Sequence, residues 1–138
     1  MKTEYVSLPY RPNVCLITFQ KNKFLLVNLS DWPEDWWKFP QIGTDKIRVL
    51  GISKYTNQYD WIDKFIEFKQ KKYRGQFQHF VIVEFIGKEQ DIKIDPKEIK
   101  KYRWAGKAEI VDISEDKQHM LFQNYNQLIP KILKEFNI

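Results

Sequence analysis

One cysteine in 138 residues leaves no partner for a disulfide within the chain. Cys15 lies inside an apolar run, Val14 to Phe19, where a buried small hydrophobe explains it better than a nucleophile does, and a reducing interior suits it. Histidine is nearly as scarce. His79 and His119 stand far apart, with neither cysteines nor paired acids at ligand spacing, so a zinc site is not expected. The five glycines include no phosphate-cradling loop, and no serine or cysteine stands in a nucleophile motif. No apolar stretch approaches the length of a signal-peptide core or a membrane span, and the chain opens on the polar residues Lys2, Thr3 and Glu4. A cytoplasmic protein with no membrane partner is expected. Internal repeats, low-complexity tracts and linkers are also lacking, which with the length points to one domain over residues 1–138.

What the chain has in quantity is aromatic side chains, 10 Phe, 7 Tyr and 5 Trp, whose large apolar area argues for a folded core and against disorder. Lys and Arg outnumber Asp and Glu by 23 to 18, and the net charge of +5 favours an anionic partner without proving one. Val14 to Phe19 and Phe24 to Val27 flank the polar turn 20–23 and predict a hairpin. Trp36 to Phe39 reads as a brief strand stopped by Pro40, Lys46 to Tyr55 as another strand, and residues 59–76 as a basic loop. Phe80 to Ile86, apolar almost without interruption, predicts a strand placed centrally in a sheet, and Tyr102 to Ala105 a further short one. Leu121, Tyr125, Leu128, Ile129, Ile132, Leu133 and Phe136 recur at helical spacing, so an amphipathic helix should cover one sheet face, kinked or restarted at Pro130. The pattern is an α+β sandwich in which a second helix is wanted. Trp32, Trp36 and Trp37 are read as packing residues rather than as a platform for stacking a base.

Four ordered motifs remove the anonymity. Tyr10-Arg11-Pro12-Asn13-Val14 precedes two strands, and Trp37-Lys38-Phe39-Pro40-Gln41 follows them. Gly75-Gln76-Phe77-Gln78-His79-Phe80 leads into the apolar strand, and Glu98-Ile99-Lys100-Lys101-Tyr102-Arg103-Trp104 comes last. The set resembles Nudix hydrolases of the RNA pyrophosphohydrolase and diadenosine-tetraphosphate hydrolase kind. That resemblance implies a Nudix-like α/β/α sandwich with a mixed central sheet. It implies that Arg11, Lys38, Gln41, Gln76 and Gln78 line a cleft for a nucleotide or an RNA 5′ end. Glu98 matches the glutamate that in the family stands near the metals as an auxiliary ligand or base, and is the one catalytic candidate.

The departure from the family matters as much as the match. In the family the Pro-Gln pair runs directly into a loop and helix whose glutamates hold Mg²⁺ or Mn²⁺, the Nudix box. Here Gln41 is followed by Ile42-Gly43-Thr44-Asp45, and no R-E-x-x-E-E occurs anywhere. Aligning Gly43 with the glycine that ends the box places an excision of roughly twenty residues between positions 41 and 43. Metal-assisted scission of a phosphoanhydride needs clustered carboxylates to hold the ions. The chain as printed is therefore expected to bind no metal, to lack the Nudix-box helix and to be catalytically inactive, a natural or engineered deletion variant that keeps nucleotide recognition. The alternative is an active hydrolase of dinucleoside polyphosphates or RNA 5′ ends whose box is missing only from the printed sequence, with Mg²⁺ or Mn²⁺ as its cofactor. Loss of the helix is also expected to uncover apolar side chains on one sheet face, which favours a homodimer through that face.

Overall fold

The structure is a computed structural model that describes residues 1–32, 37–40, 45–114 and 125–138. Strand β1 (Tyr10–Gln20) and strand β2 (Lys23–Leu29) make the expected hairpin, paired at Phe19 with Phe24. Lys21 and Asn22 take φ of 50° and 65°, the left-handed pair of a two-residue turn whose twist suits the flanking strands. Strand β3 (Ile47–Asp60), strand β4 (Gly75–Phe85) and strand β5 (Ile99–Gly106) complete a five-stranded sheet in the order β3-β4-β1-β2-β5. Among the described strands only β1 and β4 run parallel, so the sheet is mixed. The apolar strand β4 is interior, as its composition predicts, although β1 holds the middle place.

Three local expectations change. Residues 59–76 are not one loop: β3 continues to Asp60, a short helix α1 (Asp63–Phe68) follows, and β4 begins at Gly75. The lysines hide apolar residues at helical spacing, and Trp61 and Ile66 bury with Tyr5 and Tyr59 in a small cluster of their own. The brief strand near Trp37 shrinks to one bridge between Lys38 and Val27. A helix α2 (Lys107–Ser114) also appears, with no strong apolar stripe to announce it. The C-terminal helix α3 (Tyr125–Glu135) forms as predicted and carries Pro130 within it. Trp36, Gln41, Gly43, His119 and Leu121 lie outside the described residues.

Because partners in a ladder share a face, the register sorts the sheet into two sides. Cys15, Ile17 and Phe19 of β1 share one side with Phe80 and Ile82 of β4 and with Phe24 and Leu26 of β2. That side is the core, closed by Ile110 of α2 and by Tyr125, Ile129, Ile132 and Leu133 of α3. On the opposite side, Ile52, Val81 and Leu16 stand in one cross-strand row, next to Val14 and Val49. Val14, Val49 and Ile52 are exposed there. Among the described residues no helix layer covers that stretch.

Candidate functional site

The parallel pairing of β1 with β4 sets the first and third motifs side by side. Arg11 is in register with Gln76 and Asn13 with Gln78, so all four side chains belong to the core-side face of the sheet, beyond the point where the apolar core ends. The approach of β3 to β4 is tight at this end, since a Cβ on Gly75 would lie 1.9 Å from the Tyr59 carbonyl oxygen. Glycine is required there by space.

The second motif arrives through a gap between β1 and β2. These strands pair only over the residues next to their turn and then part. Lys38 closes on Val27 with two backbone bonds, Val27 N–H to the Lys38 carbonyl at 2.9 Å and Lys38 N–H to the Val27 carbonyl at 3.0 Å. Trp37 and Phe39, on either side of it, are buried in the core, which fixes the segment. The result is a cavity of about 230 Å³ lined by Arg11, Asn13, Lys38, Gln76, Gln78 and Tyr125 among others. Four of the residues singled out by resemblance, Arg11, Lys38, Gln76 and Gln78, therefore come together, and Gln41 lies outside the described residues.

Hydrogen bonds orient the two amides. Tyr59 O–H donates to Gln76 Oε1 at 2.7 Å, and Asn57 Nδ2 donates to Gln78 Oε1 at 3.0 Å. With the oxygens engaged, the amide N–H groups remain as donors for a ligand. Tyr125 O–H stands 3.3 Å from Gln78 Oε1 and 3.5 Å from Cys15 Sγ, closing the floor. Burial pushes the Cys15 thiol up to about 11, which keeps it protonated and removes it as a nucleophile. Burial also raises the Tyr59 phenol to about 12, and lowers the Lys38 ammonium below the usual lysine value. Among the described residues no carboxylate lines this cavity, and neither Arg11 nor Lys38 has an acidic partner. Two cations and several N–H donors without an acid make a pocket for an anion.

Glu98 is placed apart from this group. It lines an adjoining cavity of about 450 Å³ with Ser30, Asp31, Lys38 and Lys97, so Lys38 is the wall common to both. Its backbone is held by Ser30 N–H to the Glu98 carbonyl at 2.9 Å. Among the described residues no three of His, Cys, Asp and Glu group closely enough to hold a metal ion. Asn13, Cys15 and Tyr125 also line the first cavity, although no motif marks them as ligand contacts. The alternation of β1 carries the signal for the first two, since Arg11, Asn13 and Cys15 fall on one face.

Comparison with known proteins bears on what this arrangement is. No family model matches the chain. The RNA pyrophosphohydrolase of Gluconobacter oxydans is 26% identical to it, with 97% of this chain and 92% of that protein covered. The RNA pyrophosphohydrolase of Rickettsia conorii is 27% identical, over 96% of this chain and 93% of the relative. Among solved structures, a NUDIX hydrolase from Nitrosomonas europaea superposes with a TM-score of 0.51 at 12% identity, covering 83% of this chain and 84% of the other. These likenesses support a place for this chain in the Nudix superfamily. Its mixed sheet flanked by a few helices is the α+β Nudix fold. The alignment to the Gluconobacter protein runs over 162 positions, which exceeds the 138 residues of this chain by 24, so at least that many positions of the relative stand opposite gaps. No helix among the described residues is long and apolar enough to cross a membrane.

Proposed function

We propose that this Nudix protein holds the polyphosphate end of a nucleotide or of an RNA 5′ terminus in the cavity between Arg11 and Lys38, and does not cleave it. The observation that carries the reading is the convergence of Arg11, Lys38, Gln76 and Gln78 around a cavity that no described carboxylate lines. Arg11 suits bidentate contact with a phosphate, Lys38 supplies a half-buried point charge, and the glutamine amides donate from fixed positions. The relatives named RNA pyrophosphohydrolase support the RNA 5′ end as ligand.

Absence of cleavage follows from the sequence between Pro40 and Asp45. Four residues stand there, too few for a loop and a metal-holding helix, and Glu98 with Asp31, set beside Lys38 and Lys97, makes a poor site for Mg²⁺ or Mn²⁺. The protein is in this reading a cytoplasmic, single-domain deletion form of a pyrophosphohydrolase, and its uncovered sheet face is a site of self-association.

Two measurements test the reading together. Calorimetric titration with inorganic tripolyphosphate should show saturable binding that weakens with salt and is lost in Lys38→Ala. Phosphate or pyrophosphate release from 5′-triphosphorylated RNA with Mg²⁺ or Mn²⁺ should stay at background. Turnover comparable to an ordinary family member would overthrow the proposal in favour of an active hydrolase, and an intact mass clearly above 16.8 kDa would show that the printed sequence omits the box.

A further inference from the structure

Three side chains that carry a nucleophilic atom line the cavity of about 230 Å³: the Cys15 thiol, the Tyr125 phenol and the Lys38 amine. Burial favours the uncharged form of each, and this acts on their reactivity in opposite senses. For a thiol or a phenol the uncharged form is the unreactive one. The Cys15 thiol is pushed up to about 11 and the Tyr125 phenol is raised well above its ordinary 10.0, both mainly by burial, so both keep their protons. For an amine the uncharged form is the nucleophile. Burial lowers Lys38 from 10.5, so the surroundings that quiet the other two free a lone pair here. Lys38 exchanges its proton with water, so its charged form serves binding and its neutral form serves attack.

The amine is held in place and left without an acid. Lys38 makes no salt bridge among the described residues, and Asp31 and Glu98, which line the adjoining cavity on its other side, do not pair with it. Its backbone is tied to Val27, and the ring of its neighbour Trp37 lies 5.4 Å from Lys101 Nζ and 5.2 Å from Arg103 Cζ, a pair of cations on β5. The side chain thus starts from a fixed point on the cavity wall. Around the same cavity stand Arg11 and the amides of Gln76 and Gln78, whose oxygens are engaged by Tyr59 and Asn57. Those donors suit phosphate oxygens. The volume falls below the roughly 300–1,000 Å³ of drug-sized ligand sites, which favours a compound of few atoms. Anion donors and a neutral amine in one small enclosure select a reagent whose electrophilic carbon is joined directly to a phosphate.

We propose that Lys38 is an acylation site for small acyl phosphates, and that its acylation closes the cavity to polyphosphate. The inference rests on the reading of this cavity as a phosphate site. The Lys38 amine attacks the acyl carbon, a C–N bond forms, and the bond from that carbon to the phosphate oxygen breaks. The departing phosphate takes the electron pair and the amine's proton, and Arg11 and the glutamine amides stabilise it as it leaves. Atoms and charge balance without a further reactant. The product amide is uncharged, so the cavity keeps one cation where it had two, and a polyanion is held less tightly.

The probe is acetyl phosphate, with N-hydroxysuccinimidyl acetate as an acyl donor that carries no phosphate. Each is incubated with the full chain, as wild type and as Arg11→Ala, and acetylation of Lys38 is followed by peptide mass spectrometry beside that of the exposed Lys64, Lys131 and Lys134. Acetyl phosphate should modify Lys38 at least about tenfold faster than those three, the advantage of a held reactant over a free one. Inorganic tripolyphosphate should abolish that preference in the wild type, and Arg11→Ala should lose it. N-hydroxysuccinimidyl acetate should label Lys38 alike in both proteins, a sign that the variant keeps its fold and its amine. Protein acetylated at Lys38 should bind tripolyphosphate in calorimetric titration as weakly as Lys38→Gln does. Acetyl phosphate that modifies Lys38 no faster than the three exposed lysines would overturn the proposal, and tripolyphosphate binding in that same protein would leave the phosphate reading standing without it. Selective acetylation that needs Arg11, in a protein that does not bind tripolyphosphate, would keep the acylation site and discard the polyphosphate reading.

Discussion

The face of the sheet under α3 and one stretch of the opposite face are built from alternate residues of the same strands, yet they meet opposite fates. On one side Ile17, Phe80 and Ile82 have no exposed surface, sealed by Ile129, Ile132 and Leu133 of α3. On the other, Val14, Val49 and Ile52 keep 48%, 60% and 68% of theirs in water. Strand composition does not explain the contrast, because both sets are apolar. What differs is whether the chain supplies a helix to lie across them, and full burial of each such side chain is worth about 1.5–3 kcal/mol. The face under α3 and the buried Leu25, Val83 and Phe85 of the opposite face thus hold the stability of the fold. The bare stretch of Val14, Val49 and Ile52 is a place where little stability is at stake.

Truncating the seal should give the largest effect in the molecule. Ile132→Ala opens a cavity in a fully buried site and is expected to lower unfolding free energy by about 2–5 kcal/mol in chemical denaturation. A loss under about 1 kcal/mol would mean that α3 is not what holds the covered face closed.

The next effect concerns the cavity at the end of the covered face. Burial is the main reason that Lys38 is lowered from its ordinary value of 10.5. A base whose folded value is depressed loses its proton in the folded protein while the unfolded chain still holds one. Stability therefore gains as the pH rises through the depressed value toward 10.5. Anion binding runs the other way, because the same deprotonation removes a cation from the cavity. Tripolyphosphate affinity in the wild type should fall between neutral pH and about pH 10, and Lys38→Arg, which keeps its charge throughout, should flatten the profile. An affinity that is level with pH in both proteins would sink the role given to Lys38.

A smaller effect is expected beneath the cavity. Tyr125 O–H links α3 to Gln78 and Cys15, so Tyr125→Phe removes a buried hydrogen bond and should cost about 1 kcal/mol of stability. It should also weaken tripolyphosphate, because Gln78 loses one of the partners that aim its amide. Unchanged stability and affinity together would show that the floor of the cavity is held by other contacts.

The same contrast accounts for how much could be read before the structure was seen. The strands, the C-terminal helix and the face that α3 covers follow from periodicity, because the residues of β4 and α3 answer to one dominant contact each. Arg11, Lys38, Gln76 and Gln78 were legible only through resemblance, since their meeting depends on the parallel register of β1 with β4 and on the bridge from Lys38 to Val27, long-range pairings that no local pattern announces. The segment 59–76 misled for a physical reason. Its lysines dominate the composition, while Trp61, Phe65 and Ile66 turn inward and make a helix of what reads as a loop. A short helix draws its stability from packing against Tyr5 and Tyr59, which lie elsewhere in the chain.

The smallest change in stability should come from the bare face, and it tests the contrast most directly. Ile52 is 68% exposed in an edge strand, so Ile52→Lys forfeits little burial and should shift the unfolding free energy by no more than about 0.5 kcal/mol. Its consequence should instead be colloidal. Ile52, Val81 and Leu16 form an apolar row across three strands, and a charge set into it would have to be desolvated in any contact that covers the row. Light scattering after size exclusion at high concentration should find the wild type associating and the variant monomeric. A wild type that is strictly monomeric would show that the uncovered row tolerates water on its own, and a variant that unfolds several kcal/mol more easily would show that the row is buried after all.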